Sequence, residues 1–198
     1  PTFVETQLER FNTILKTGNV RGVSFRFIHC SNSGAILNDY GETFNTIRVG
    51  MLAYGVAPSD EVTMKINVEP VMSFCGPIVN LRKVSKNTPI SYGGIYVTKK
   101  KTNIGVIQMG FADGVPRPWY EDGYISYKGK KYNIAGRICM DQFMVDFGDV
   151  EPRLGEEVLV FGKKKDDFIP IETIAKKTNT TTYVLLTAIH GRTEYLVK

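Results

Sequence analysis

The stretch Ile90-Ser91-Tyr92-Gly93-Gly94 mounts one phenol on a bend, after Thr88-Pro89 and before a lysine run. A backbone that turns sharply or comes close to something needs such glycines. Read locally, the stretch is a loop with a surface aromatic, which leaves open why a phenol is mounted there. Asn32-Ser33-Gly34 falls where a strand gives way to a short helix, so its N–H groups and hydroxyl suit a phosphate, and equally a plain N-cap. Arg48-Val49-Gly50-Met51 sets a permanent cation at the C-terminal end of a buried-type strand, where α/β folds collect active sites, with Gly50 leaving room for a ligand. His29 ends the preceding strand, either orienting that guanidinium or sitting as a satisfied core histidine. Phe111 to Arg117 closes a strand with a turn holding an acid and a base. Arg137-Ile138-Cys139-Met140-Asp141-Gln142 puts polar residues inside a strand of a β-domain, the mark of an edge, a bulge or a site.

The elements that must position these residues fall into two textures. Val4, Leu8, Phe11 and Leu15 predict an amphipathic helix with a stop at Gly18. Apolar runs at 23–28 and 47–51, with a short apolar piece up to Leu37 between them, predict strand, short helix and strand, the rhythm of an α/β sheet or barrel. From Met64 onward strand-length runs alternate with turn signals, at 64–74, 105–109, 124–127, 132–135, 138–147 and 157–161. Residues 124–134 alternate about a Gly turn and predict a β-hairpin. Ile171 to Lys177 predicts a helix, with Pro170 at its first turn and lysines at its end. The expected organisation is α/β plus all-β, with residues 1–61 ending an α/β unit and 62–198 forming a mainly antiparallel β-domain.

The chain of 198 residues can bury a sizeable core without disulfides or metal. Its 25 basic residues against 20 acidic give +5, but the surplus sits in lysine clusters at 99–101, 128–131 and 163–165. Each cluster lies beside turn residues, which reads as solvated hairpin tips rather than a nucleic-acid patch. Three cysteines, far apart and without CxxC pairing, argue against a disulfide framework or zinc cage and suit a reducing, cytoplasmic compartment. The longest apolar stretch, 183–189, falls far short of the ~20 residues that span a bilayer, so no membrane association is expected. The chain opens on Pro1 and is expected to be a piece of a longer protein.

Taken together, the motifs are similar to those of the C-terminal half of bacterial alanine racemases. The resemblance rests on His29-Cys-Ser-Asn-Ser-Gly34, Ile47-Arg-Val-Gly-Met51 with Tyr54-Gly-Val-Ala-Pro58, Pro89-Ile-Ser-Tyr-Gly93, Gly110-Phe-Ala-Asp-Gly114 and Gly136-Arg-Ile-Cys-Met-Asp-Gln142, all in the family's order. It implies the C-terminal part of a (β/α)8 barrel followed by the β-domain, pyridoxal 5′-phosphate as cofactor, and a homodimer with shared active sites. The implied reaction interconverts L-alanine and D-alanine with two bases, supplying D-alanine for peptidoglycan. Tyr92 corresponds to the base offered across the dimer. A free phenol titrates near about 10, so it needs cationic neighbours to work near neutrality.

By the same resemblance Arg48 faces the pyridine nitrogen, His29 steadies Arg48, and Asn32, Ser33, Gly50 and Met51 supply phosphate contacts. An arginine there disfavours protonation of the ring nitrogen and restrains side reactions. Met140 matches the main-chain donor to the substrate carboxylate, while Phe111, Arg117, Arg137 and Asp141 match residues lining or bracing the access corridor. Phe111 stands where the family often has tyrosine. His190 stands near the family's phosphate-binding tyrosine. The family's cofactor lysine, in a Lys-Ala-x-Ala-Tyr-Gly-type stretch, has no counterpart in this sequence. The implied partner is therefore the missing N-terminal barrel segment, without which a partial barrel leaves apolar strand edges bare. A serine or broad-specificity racemase, and a non-catalytic dimerisation module, are the alternative readings.

Overall fold

The computed structural model describes residues 2–40, 44–59 and 61–197. Backbone contacts divide the chain into two units, one of residues 1–53 and 57–68, the other of residues 54–56 and 69–198. The first opens with helix α1 (Thr2–Val20). It runs past Gly18, the expected stop. Its end is instead a Schellman cap, with Gly22 at φ +78°, Val23 N–H on the Gly18 carbonyl and Gly22 N–H on that of Asn19. The short helix α2 (Ser33–Leu37) follows where the apolar piece to Leu37 placed it.

The two expected strands at 23–28 and 47–51 do not form a ladder. They run extended and side by side, joined by isolated bonds: Thr46 N–H to the Ile28 carbonyl, 3.2 Å, and Arg48 N–H to that of Ser31, 2.9 Å. The Asn45 side chain adds two more, accepting from Ile28 N and donating to the Arg26 carbonyl. Parallel strands complete their hydrogen bonding only with neighbours on both sides. Among the described residues the first unit provides no such neighbours, and Phe25, Phe27, Ile47 and Val49 stand exposed.

The second unit is built on β1 (Phe74–Val84), β2 (Pro89–Ile90), β3 (Tyr96–Val97), β4 (Thr102–Ile107), β5 (Tyr124–Tyr127), β6 (Lys130–Ile134), β7 (Phe143–Asp146), β8 (Glu157–Lys164) and β9 (Asp167–Ile169), then helices α3 (Ile171–Lys177) and α4 (Thr182–Thr187). The main sheet runs β1-β4-β7-β6-β5-β8-β9, all antiparallel, and β1 pairs again with β8. Six strands therefore close into a ring. Strand β1 makes this possible by changing partner: residues 74–77 pair with β8 and residues from Ile78 with β4, with a register shift between Ile78 and Asn80. Such a shift bends a strand and turns a barrel corner.

Alternate residues point inward. Ile78, Ile107, Ile125, Phe143, Val145, Val158 and Val160 are fully buried and fill the ring. The hairpin at 124–134 is as expected, its turn carried by Lys128 (φ +51°) and Gly129 (φ +74°), and the lysine cluster sits on that tip. Helix α3 has the expected bounds. Residues 64–73 and 138–142, expected as strand, are not: strand begins only at Phe74 and resumes only at Phe143. Among the described residues no helix is long and apolar enough to cross a membrane.

Truncating Phe143 at the centre of the ring should cost about 3–5 kcal/mol, as for buried aromatics generally. Phe168→Ala on half-exposed β9 should cost far less. Thermal melts of the two variants side by side check this; equal losses would contradict the ring as the stabilising core.

Candidate active site

In the first unit the side-by-side segments bring six predicted residues together, Asn32 with Ser33, Gly50 and Met51, and His29 with Arg48. Asn32 caps α2, its Oδ1 accepting Ala35 N–H at 3.0 Å. This turns the buried Ser33 toward the second segment, where its Oγ accepts Gly50 N–H at 3.0 Å and lies 3.5 Å from Leu52 N. With Oγ accepting, the Ser33 hydroxyl proton has no acceptor among the described residues. Met51, between those two donors, buries its side chain. Arg48 Nη1 lies 2.8 Å from His29 Nδ1. A guanidinium only donates, so Nδ1 accepts and the imidazole carries its proton on Nε2. Arg48 and Asn32 share the wall of a cavity of about 540 Å3 with Cys30, Gly34 and the apolar face of α1.

In the second unit Tyr92 begins a one-turn 3-10 bend (Tyr92–Gly94) and is 71% exposed, its hydroxyl meeting no partner among the described residues. Ser91, just before it, lies at φ +63°, ψ −179°, a conformation nearly restricted to glycine. Gly93 and Gly94 also have positive φ, which is why the bend needs them. The strain at Ser91 is held by its hydroxyl, which donates to the Arg137 carbonyl at 2.8 Å. Opposite it Gly136 has no room for a side chain: a Cβ there would lie 2.7 Å from Ser91 Cβ and 2.9 Å from the Ile90 carbonyl. The tyrosine four residues on is unlike Tyr92. Burial, reinforced by a 2.6 Å bond to Asp146, pushes the Tyr96 phenol well above its usual range, so Tyr96 keeps its proton as a donor to Asp146.

The Arg137 loop also carries Cys139 and Met140, and the turn Phe111–Asp113 grips it. Phe111 N–H donates to the Cys139 carbonyl and Ala112 N–H to the Met140 carbonyl, each at 3.0 Å. Gly110 sits so close that a Cβ would fall 2.3 Å from both carbonyl oxygens. Met140 N–H has no acceptor among the described residues, and its side chain is exposed. Phe111 and Arg117 face each other, guanidinium carbon to ring centre 5.9 Å. Arg137 lays its guanidinium beside Gly93. His190 is exposed after α4 and makes no described contact, while the Ser33 cradle is formed wholly within the other unit.

Two residues with no predicted role dominate the electrostatics. Asp113 is only 4% exposed. Its carboxylate accepts from Arg192 Nε at 2.6 Å, from Arg192 Nη2 at 2.9 Å and from Gly110 N at 2.8 Å. Arg192 also reaches Asp141 Oδ1 at 2.9 Å. The Arg192 bonds hold the Asp113 carboxyl below its ordinary range against the opposing effect of burial, and Arg192 is raised in turn. The acid was visible as part of a turn; its partner, 79 residues away, was not.

An α/β segment with a hydroxyl-and-guanidinium donor set, followed by an antiparallel β-domain presenting a phenol, defines the class that joins the last part of a (β/α)8 barrel to a β-domain. The family model for the alanine racemase C-terminal domain matches residues 71–197, and that for the N-terminal domain matches residues 1–58. The chain is 34% identical over 194 residues to an alanine racemase of Desulforamulus reducens, covering 96% of this chain and 51% of that protein. It is 36% identical over 191 residues to alanine racemase 2 of Caldanaerobacter subterraneus subsp. tengcongensis, covering 96% and 49%. The crystal structure of an alanine racemase from Bacillus anthracis with bound L-Ala-P superposes with a TM-score of 0.85 at 32% identity, covering 96% of this chain and 49% of that one. The chain belongs to the alanine racemase family. It spans about half the length of the curated relatives it matches.

Because the folded pKa of Asp113 is depressed, its stabilising effect is complete above the unfolded carboxyl value of about 3.9 and is lost as pH falls through the lower folded value. Asp113→Asn should therefore lower Tm near neutral pH, with the gap to wild type closing in acid below about pH 4. Melting curves from neutral to acid pH check this; a gap independent of pH would contradict it.

Proposed function

We propose that this chain supplies the C-terminal part of an alanine racemase, which interconverts L- and D-alanine with pyridoxal 5′-phosphate in the company of the N-terminal barrel segment and a second subunit. The free, exposed hydroxyl of Tyr92 on its strained bend carries this reading, since nothing in the ring's packing requires a phenol there.

The residues present fit the cofactor. Ser33 has a hydroxyl proton to offer beside the Gly50 backbone, which suits a phosphate, and Arg48 is a permanent cation oriented by a histidine, which suits a pyridine nitrogen lone pair. When bound, the cofactor supplies an electron sink for the α-carbon. Tyr92 takes or returns the α-proton on one face of the amino acid at its phenolic oxygen. The base for the other face is the family's cofactor lysine, in the N-terminal segment. Met140 N–H binds the substrate carboxylate, a role for which the peptide suffices whatever the side chain. Phe111, Arg117, Arg137 and Asp141 border the approach to Tyr92 and Met140. His190 is assigned to the phosphate by position in the sequence alone. Cys30, Cys75 and Cys139 are not joined by disulfides, which suits the cytoplasm. The product would feed peptidoglycan synthesis.

The test is to combine the chain with the N-terminal barrel segment and cofactor and follow loss of optical activity from each alanine enantiomer. Tyr92→Phe should slow removal of the α-proton on one face by about 100-fold or more, as expected for loss of a general base. Full rates in both directions with Tyr92→Phe would remove Tyr92 from the mechanism.

A further inference from the structure

Asp113 and Arg192 have no part in the chemistry above, yet they are tightly paired beside it. An ordinary surface ion pair would contribute little. This one differs, because its acid is buried and accepts three bonds, one of them from the backbone of the turn it belongs to. What that turn does is set the direction of one peptide group. Phe111 N–H holds the Cys139 carbonyl, and the peptide joining Cys139 to Met140 is planar and trans, so its C=O and N–H point in opposite directions. Fixing one end aims the other. Arg192 bonds to Asp113 in the turn and to Asp141, the residue after Met140, and so ties the turn to the loop.

We propose that Arg192 is a positioning residue for the Met140 N–H, acting through Asp113 and the 110–114 turn. Its bearing on catalysis rests on the reading that this N–H receives the substrate carboxylate. Removing Arg192 lets the turn loosen, the Cys139 carbonyl swing, and the donor lose its aim. The effect falls on binding the carboxylate and leaves proton transfer at Tyr92 largely alone.

The experiment uses the full chain assembled with the N-terminal barrel segment, as wild type, Arg192→Gln and the milder Arg192→Lys. Amide hydrogen exchange is read at Phe111 and Ala112, with Val106 and Ile107 of β4 as internal reference, and KM and kcat are measured for L-alanine. In Arg192→Gln, exchange at Phe111 and Ala112 should quicken about tenfold or more with the β4 amides unchanged, and KM should rise about tenfold while kcat moves far less. Arg192→Lys should fall between, since an ammonium cannot reproduce the two-pronged bond. Unchanged exchange at Phe111, quickening that spreads equally through β4, or a loss confined to kcat would each overturn the proposal. A wild-type assembly that binds cofactor but never racemises sinks the functional reading instead; the exchange comparison still decides whether Arg192 holds the turn.

Discussion

The loop at residues 136–142 is held from two sides, one grip lying next to each of the two proposed working groups of the β-domain, Tyr92 and the Met140 N–H. From one side Ser91 donates to the Arg137 carbonyl; from the other Phe111 and Ala112 donate to the carbonyls of Cys139 and Met140. Magnitudes show how close the balance at Ser91 is. A non-glycine residue in the backbone conformation of Ser91 costs about 1–3 kcal/mol. A single neutral hydrogen bond returns about 0.5–1.5 kcal/mol net. The bend that raises Tyr92 is therefore roughly balanced by its own bond to the Arg137 carbonyl, while the Gly110 turn and the buried Asp113 fix the other end of the loop at Cys139 and Met140.

The ring of strands gives this arrangement its rigidity. Strand β4 leads into the Gly110 turn, and β7 leaves the loop at Phe143, so the turn and the loop hang from adjacent strands of one ladder. Their spacing is set by the pairing of Ile107 with Phe143, both fully buried. The bend at Tyr92 is placed by the small β2–β3 pair, which packs through Ile90 and Tyr96 against Ile104 and Ala135. Tyr96 is thereby committed to the scaffold, with its hydroxyl on Asp146, while Tyr92, four residues earlier, is left to solvent.

How much of this was legible in the sequence depended on how local the cause was. The α3 bounds follow from Pro170 and the closing lysines, and the 124–134 hairpin from strict alternation about Gly129; both are decided within a few residues. Residues 64–73 and 138–142 have strand-like composition but no strand partner among the described residues, and pairing is a tertiary fact that period-2 patterning cannot report. The end of α1 was misjudged at Gly18 because a glycine inside a helix is tolerable, whereas the Gly22 cap depends on two bonds that form only at the true end. The motifs at 29–34, 47–51, 89–93 and 136–142 stand out by residue type and spacing, and of the two readings open for His29 the structure has it against Arg48. The Asp113–Arg192 pair was not foreseen, since nothing about an arginine in the tail names an acid 79 positions earlier.

Closure of six strands leaves the main sheet, among the described residues, with β9 as its free margin, and a lysine-tipped turn leads into that margin. The first unit is the reverse: Phe25, Phe27, Ile47 and Val49 form an oily row on extended backbone whose amides are only partly spoken for. Extended backbone with open hydrogen-bonding positions and aromatic side chains is a template for adding further chain. It is the opening third, and not the ring, that offers backbone for added strand.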